Sequence, residues 1–299
     1  MNLKIWLKAI RAPFFTATIV PVLLGTAVAW NVERKFNLFY FLLTLFSVLL
    51  VHMGTNLAND YFDHKTGNDE INKNPTPFSG GSRVIQDKLL PASSILKASL
   101  FSFGIGSLLG LYLVFKLGYI VLLLGAIGVF LGFFYTATPL KLGYKRIGEF
   151  LVGIGFGPLV VVGSYYVQTL RFSSEVILIS IPIGLLIAMV LWINEFPDYE
   201  ADAKVGKNTS VVKLGKRKAL RVYYLTLGLV YVWVVSGVLF KIFPVFTLLI
   251  LLTFPIFLKT LKITKQNYEK IYELLPANAT TIMLHLSIGI FLTVAYLID

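Results

Sequence analysis

Asn56, Asn59, Asp60 and Asp63 fall at i, i+3, i+4 and i+7, a spacing that puts all four on one helical face. The pattern is written twice. Asn194, Asp198 and Asp202 stack at i, i+4 and i+8, and both ladders have a Tyr directly after the first Asp and end in Gly67 or Gly206. Carboxylates brought together at a membrane boundary repel one another unless divalent cations sit between them. Cysteine is absent and the 3 histidines are scattered, so the donors are hard oxygens, which suit magnesium better than zinc. Magnesium retains waters and completes its shell with substrate phosphate. Asp60, Asp63, Asp198 and Asp202 are therefore the expected metal ligands. Asp60, Asp63, Asp198 and Asp202 are the expected catalytic set.

A phosphate needs positive partners, and Arg83, Lys141, Lys145, Arg146, Lys204 and Lys207 all lie in segments that follow the acidic helices or their neighbours. Arg83 closes the stretch Asn-Pro-Thr-Pro-Phe-Ser-Gly-Gly-Ser-Arg, where the amides of Gly80 and Gly81 and a guanidinium fork would suit a phosphate; the same stretch also reads as a flexible loop. With an apolar interior behind the acids, the implied substrate has a diphosphate head and a long hydrocarbon tail. Magnesium would stabilise the developing diphosphate as an allylic carbon–oxygen bond breaks. Tyr61, Tyr135, Tyr144 or Tyr199 could shelter the resulting cation, or serve only as interfacial belt residues. Asn59 and Asn194 share the face and belong to the same substrate set.

Several residues have plainer readings. Arg11 is expected to snorkel to the interface, with a site role as its alternative. Glu149 either meets the acceptor or pairs with Lys145 at a helix start. His285, alone in the last span, is read as hydrogen-bonded between helices. Asn208 and Asn278 begin Asn-x-Ser/Thr triplets on the side that is not glycosylated.

The elements that position these groups are membrane helices. Of 299 residues 57% are hydrophobic and only 14% charged, with a mean hydropathy of +0.78, which excludes an ordinary soluble domain. Apolar runs of near membrane-spanning length lie at about 12–30, 38–58, 95–115, 117–135, 148–167, 176–196, 219–240, 243–258 and 277–298, nine in all. The basic start could imitate a signal peptide, but the first run is read as a retained span. Net charge is +12, yet 22 of the 27 basic residues fall in the N-terminus and alternate loops. That bias argues for positive-inside topology rather than nucleic acid: cytoplasmic N-terminus and acidic loops, C-terminus outside. The predicted fold is all-α, one integral-membrane domain over 1–299. Two parallel four-helix repeats, about 1–146 and 147–264, are followed by a last helix at 277–298, and a central cavity is capped by cytoplasmic loops.

At these residues the chain resembles the UbiA superfamily of intramembrane prenyltransferases. The resemblance rests on Asn56-x-x-Asn59-Asp60-x-x-Asp63 with Gly67-x-Asp69, on Asp198-x-x-x-Asp202, and on nine spans. The segment from Tyr135 to Arg146 leading to Gly148-Glu149, the run Gly155-Phe156-Gly157-Pro158, and Leu275-Pro276 are similar to the 1,4-dihydroxy-2-naphthoate polyprenyltransferases of menaquinone biosynthesis. The resemblance implies that Asn56, Asp60, Asp63, Asp198 and Asp202 hold magnesium and diphosphate, with Arg83 and the 204–207 segment touching diphosphate. It implies prenyl transfer from a polyprenyl diphosphate to a small aromatic acceptor in the lipid membrane. With dihydroxynaphthoate as acceptor, carbon dioxide also leaves and demethylmenaquinone results. Many members carry an Asp where this chain has Gly67, so Asp69 is a doubtful ligand. Other acceptors are 4-hydroxybenzoate, homogentisate and geranylgeranylglyceryl phosphate. A reading of another class is a cation-coupled transporter, in which repeated acids also occur. Solute flux without prenyl transfer would mark that case.

Overall fold

Asn37 opens the first acidic helix by accepting a hydrogen bond from the Tyr40 amide through its side chain, which satisfies one of the orphan donors at a helix start. The helix it starts, α3 (Leu38–Thr66), runs 29 residues and carries the entire first ladder before Gly67 stops it with φ +76°. Only glycine takes that left-handed value without strain. The helix thus outlasts the apolar run at about 38–58. Helix continues past Asp63 because nothing before Gly67 interrupts it.

The computed structural model describes residues 2–299, and all regular structure among them is helical. A short helix α1 (Leu3–Ala9) and a 3-10 turn (Ala12–Phe15) lead into α2 (Thr16–Glu33). After α3 come a single turn α4 (Asn68–Ile71), then α5 (Ala92–Leu117) and α6 (Tyr119–Phe134). Helix α7 (Gly148–Ile154) passes through a π turn (Gly155–Leu159) into α8 (Val160–Thr169). The second acidic helix is α9 (Ser174–Lys204), followed by α10 (Ser210–Leu214), α11 (Lys216–Leu239), a 3-10 stretch (Val245–Thr253), α12 (Phe254–Asn267) and α13 (Leu275–Ile298).

Eight of these helical segments are long and apolar enough to cross a bilayer, and α6, at 16 residues, is a shorter ninth apolar helix. The protein is an integral, multi-pass membrane protein. Large apolar side chains such as Phe101, Phe115, Leu225 and Phe240 are exposed on the outer surface, where hydrocarbon rather than water makes them inexpensive. The main core joins α2, α8, α9, α11 and α13 through Leu24, Val161, Ile183, Tyr223, Leu284 and Ile288. Packing there depends on close backbone approach. A Cβ at Gly157 would meet the Gly184 backbone at 2.5 Å, so the π turn fits α9 only as glycine against glycine. Helices α3, α5 and α6 lie on the other side, and the space between the two groups is a cavity.

Candidate active site

Both ladders end at the polar mouth of this cavity, whose volume is about 790 Å³. Arg11, Asn59, Asp63, Asp69, Asp198, Asp202 and Lys207 line the mouth, and Val51, Leu159, Ile187 and Leu191 are among the apolar walls behind it. The loop that follows α3 reaches across and holds the second ladder directly. Asn72 Nδ2 donates to Asp198 Oδ1 at 2.8 Å, the Gly80 amide donates to Asp198 Oδ2 at 3.1 Å, and Asn68 Nδ2 donates to Asp202 Oδ1 at 3.2 Å. Tyr144 Oη donates to Asp63 Oδ1 at 2.7 Å. Lys207 Nζ lies 3.4 Å from Asp202 Oδ1 and 4.0 Å from Asp63 Oδ2, bridging the two ladders. Its ammonium also stands over the Tyr144 ring, 5.5 Å from the centroid.

Electrostatics follow from this crowding. Burial would lower the Lys207 pKa, but the carboxylates of Asp202, Asp63 and Asp198 together outweigh it and push the value well above the ordinary one. Burial is likewise outweighed at Arg11, chiefly by Asp60, and its guanidinium is held more firmly protonated. Asp69, 3% exposed, is pushed up to about 8 by burial first and then by the neighbouring Asp63 and Asp60 carboxylates. Such a site favours any added positive charge.

The donor set fits magnesium. Asp69 Oδ2, Asp202 Oδ2 and Asn68 Oδ1 are buried oxygens without a hydrogen-bond partner, and an unpaired buried acceptor is costly unless a cation or water meets it. Among the described residues no three acidic or histidine side chains form a ready-made metal cage. An ion here would share its shell between the two ladders and substrate oxygens, as magnesium commonly does.

Residues 18–296 match the UbiA prenyltransferase family. The chain belongs to the UbiA prenyltransferase family. It is 32% identical to the 1,4-dihydroxy-2-naphthoate octaprenyltransferase of Bacillus subtilis, over 97% of this chain and 91% of that protein. It is 29% identical to the 2-carboxy-1,4-naphthoquinone phytyltransferase of Synechocystis, covering 98% and 93%. Among solved structures, a UbiA homolog from Archaeoglobus fulgidus bound to GPP and Mg2+ superposes with a TM-score of 0.66 at 13% identity, covering 97% of this chain and 99% of that one. A digeranylgeranylglyceryl phosphate synthase gives 0.66 at 20% identity, covering 99% of both; both likenesses speak to fold. This UbiA enzyme is a prenyltransferase, which decides against the transporter reading.

The structure sorts the predicted residues. Asp63, Asp69, Asp198, Asp202, Asn56, Asn59, Asn194, Arg11, Tyr135 and Lys207 all border the cavity. Asp60 does not: its oxygens are occupied by Arg11, by the Ser82 hydroxyl, and by the Ser82 amide at 3.2 Å. Arg11, expected to snorkel, instead turns inward to Asp60 and to Asn59 Oδ1 at 2.9 Å, because a buried carboxylate competes for it better than water does. Arg83 hydrogen-bonds the Asp69 carbonyl and pins that turn without bordering the cavity. Lys145, Arg146 and Lys204 are exposed outside it, and Lys141 stands over the Tyr144 ring at 5.3 Å.

Of the four tyrosines, Tyr61 packs beside Leu57 and α1, and Tyr199 packs on the main core under Lys216. Glu149 pairs with neither Lys145 nor the cavity; it accepts from the Ser210 amide at 2.6 Å. Asn278 is fully buried and donates to Asn194 Oδ1 at 2.7 Å. His285 is buried with Nε2 unpartnered, a departure from the interhelical hydrogen bond expected of it. Asn68, Asn72 and Ser82 escape sequence reading because nothing in their local spacing marks them as partners of acids over a hundred residues away or on another element. Their only signal is position in the loop after the ladder.

Proposed function

We propose that this protein transfers a polyprenyl group from its diphosphate to 1,4-dihydroxy-2-naphthoate, with release of diphosphate and carbon dioxide. The observation that carries the acceptor is the 32% identity to a dihydroxynaphthoate octaprenyltransferase across 97% of the chain. Two facing ladders at the mouth of an apolar cavity support the donor half. Asp63, Asp69, Asp198 and Asp202 would hold magnesium, which when bound supplies Lewis-acid stabilisation of the leaving diphosphate. Lys207 and Arg11 would supply fixed positive charge to the same oxygens. Asp60 would act through Arg11 and Ser82 rather than on substrate.

The hydrocarbon tail runs into the apolar part of the cavity. As the allylic carbon–oxygen bond breaks, its electron pair leaves with diphosphate, and Tyr135 presents a ring face to the allylic cation. The ring carbon bearing the carboxylate supplies the electron pair of the new carbon–carbon bond. Loss of carbon dioxide returns a pair to the ring and leaves the quinol form of demethylmenaquinone. Topologically, the reading is nine crossings in a single domain, with α6 as the short ninth, two four-helix repeats related in parallel, and the acidic mouth on the cytoplasmic side, as the basic loops favour.

The test incubates membranes holding the protein with labelled polyprenyl diphosphate and a panel of dihydroxynaphthoate, 4-hydroxybenzoate, homogentisate and geranylgeranylglyceryl phosphate. Products are identified by mass. Magnesium-dependent appearance of the decarboxylated naphthoate adduct supports the reading, and selective prenylation of another acceptor refutes the naphthoate assignment.

A further inference from the structure

His52 stands apart from the carboxylates yet borders the same cavity. It lies one helical turn before Asn56 on the same face of α3, and eleven residues, roughly 16 Å along the axis, from Asp63. The residue is 8% exposed. Nδ1 is 2.8 Å from Oγ1 of Thr18 on α2, a residue that is fully buried and whose hydroxyl has no other hydrogen-bond partner among the described residues. The arrangement that satisfies both groups has the Thr18 hydroxyl donating to Nδ1, which places the remaining ring hydrogen on Nε2. Nε2 makes no hydrogen bond to the protein, and unlike Nε2 of His285 it is not sealed from the cavity.

The ring has little freedom. Phe15 meets it edge-on at 5.5 Å and Phe156 at 4.9 Å. Phe156 is presented by the π turn Gly155–Leu159, an irregularity that concentrates at functional sites. The Gly-Phe-Gly-Pro run thereby acquires a purpose: its Phe156 packs against the imidazole that Thr18 holds by a hydrogen bond.

We propose that His52 is a specificity-determining residue whose Nε2–H donates a hydrogen bond to an oxygen of the aromatic acceptor. The inference rests on the aromatic-acceptor reading above. A prenyl tail has no acceptor atom, and a desolvated N–H pressed against hydrocarbon gains nothing for its lost hydration. The diphosphate is held more than two helical turns away, at the acids. A ring placed to react beside Asn56 and Asn59 extends toward His52, and its oxygen substituents are the groups that meet Nε2.

The experiment compares the wild type with His52→Phe, which keeps an aromatic ring against Phe15 and Phe156 but removes the donor, and His52→Gln, which returns an N–H near the position of Nε2. His52→Phe is expected to raise the KM for dihydroxynaphthoate about tenfold while the KM for polyprenyl diphosphate stays within about twofold, and His52→Gln recovers most of the loss. Naphthoate analogues lacking one ring oxygen at a time are included. One of them should cost the wild type the same factor and cost His52→Phe nothing. Thr18→Val, which frees the tautomer without touching the cavity, gives a smaller rise and serves if His52→Phe is poorly folded. Unchanged acceptor KM in His52→Phe or in a folded Thr18→Val, a parallel rise in both KM values, or Gln behaving as Phe overturns the assignment. A wild type that prenylates no aromatic acceptor overturns the underlying reading instead, so the two failures are distinct.

Discussion

Replacing Lys207 by Met removes one charge and keeps most of the stem. The ammonium lies 3.4 Å from Asp202 and 4.0 Å from Asp63. At an effective dielectric constant of about 20 these separations correspond to attractions of about 5 and 4 kcal/mol. Desolvation of each buried ion takes back several kcal/mol, and deleting one partner of a buried ion pair costs about 3–5 kcal/mol because the other charges are left uncompensated. In chelator-treated, detergent-solubilised protein, that loss should appear as a fall in melting temperature of about 6–20 °C, at about 2–4 °C for each kcal/mol. Added magnesium should restore at least half of the difference, since a divalent cation between the ladders replaces the missing positive charge. The KM for polyprenyl diphosphate should rise about a hundredfold, the kinetic equivalent of about 3 kcal/mol, with a much smaller change for the acceptor. If the variant melts within about 2 °C of wild type in chelator and keeps its diphosphate KM, Lys207 is not the cation that joins the ladders.

Asp198→Asn removes a charge and one of the two acceptors that hold Asn72 and the Gly80 amide. Magnesium-dependent transfer should fall about a thousandfold in a protein that still elutes as a single folded species; near-normal turnover would remove Asp198 from the chemistry. Gly81→Ala would place a Cβ 2.5 Å from Asp69 Oδ2 on a backbone with φ +76°. The left-handed strain alone costs about 1–2 kcal/mol, and displacement of the carboxylate should raise the magnesium concentration for half-maximal activity about tenfold. A variant with wild-type metal dependence would show that Asp69 is not a ligand. Finally, the folded Asp69 pKa of about 8 lies above the ordinary carboxyl value of 3.8. The stability of the metal-free protein associated with this group is therefore fully present below pH 3.8 and is lost as pH rises toward 8. Melts in chelator at pH 6 and pH 8 should show the decline for wild type and a flatter response for Asp69→Asn, and equal slopes would contradict the shift.

Much of the site was legible because helical spacing is local. Asn56, Asn59, Asp63, Asn194, Asp198 and Asp202 all border one cavity, as their spacing on two helices requires. Asp60 shows where that logic ends. It occupies the same ladder by spacing, yet Arg11 and Ser82 consume its oxygens, and neither residue is within helical reach of it. Asp69 fails the family's usual spacing but lies buried at the mouth with a free oxygen, because Gly67 ends α3 and the single turn α4 redirects the chain inward. Basic residues were the least legible group. Of six predicted for phosphate, Lys207 alone borders the cavity, since long side chains on loops take their direction from tertiary neighbours.

By itself, the sequence determined that this is an all-helical, multi-pass membrane protein with two acid ladders, because hydropathy and a repeat of 3.6 residues are properties of consecutive residues. Tertiary structure alone decided which oxygens remain free for a cation, which are spent on Arg11, Asn68 or Asn72, and that His52 turns a fixed N–H toward the cavity. Each of those outcomes depends on which donor from another helix or loop arrives first at a buried acceptor. Within a low-dielectric interior the nearest satisfied pairing prevails, and its partners can be any distance apart in the chain.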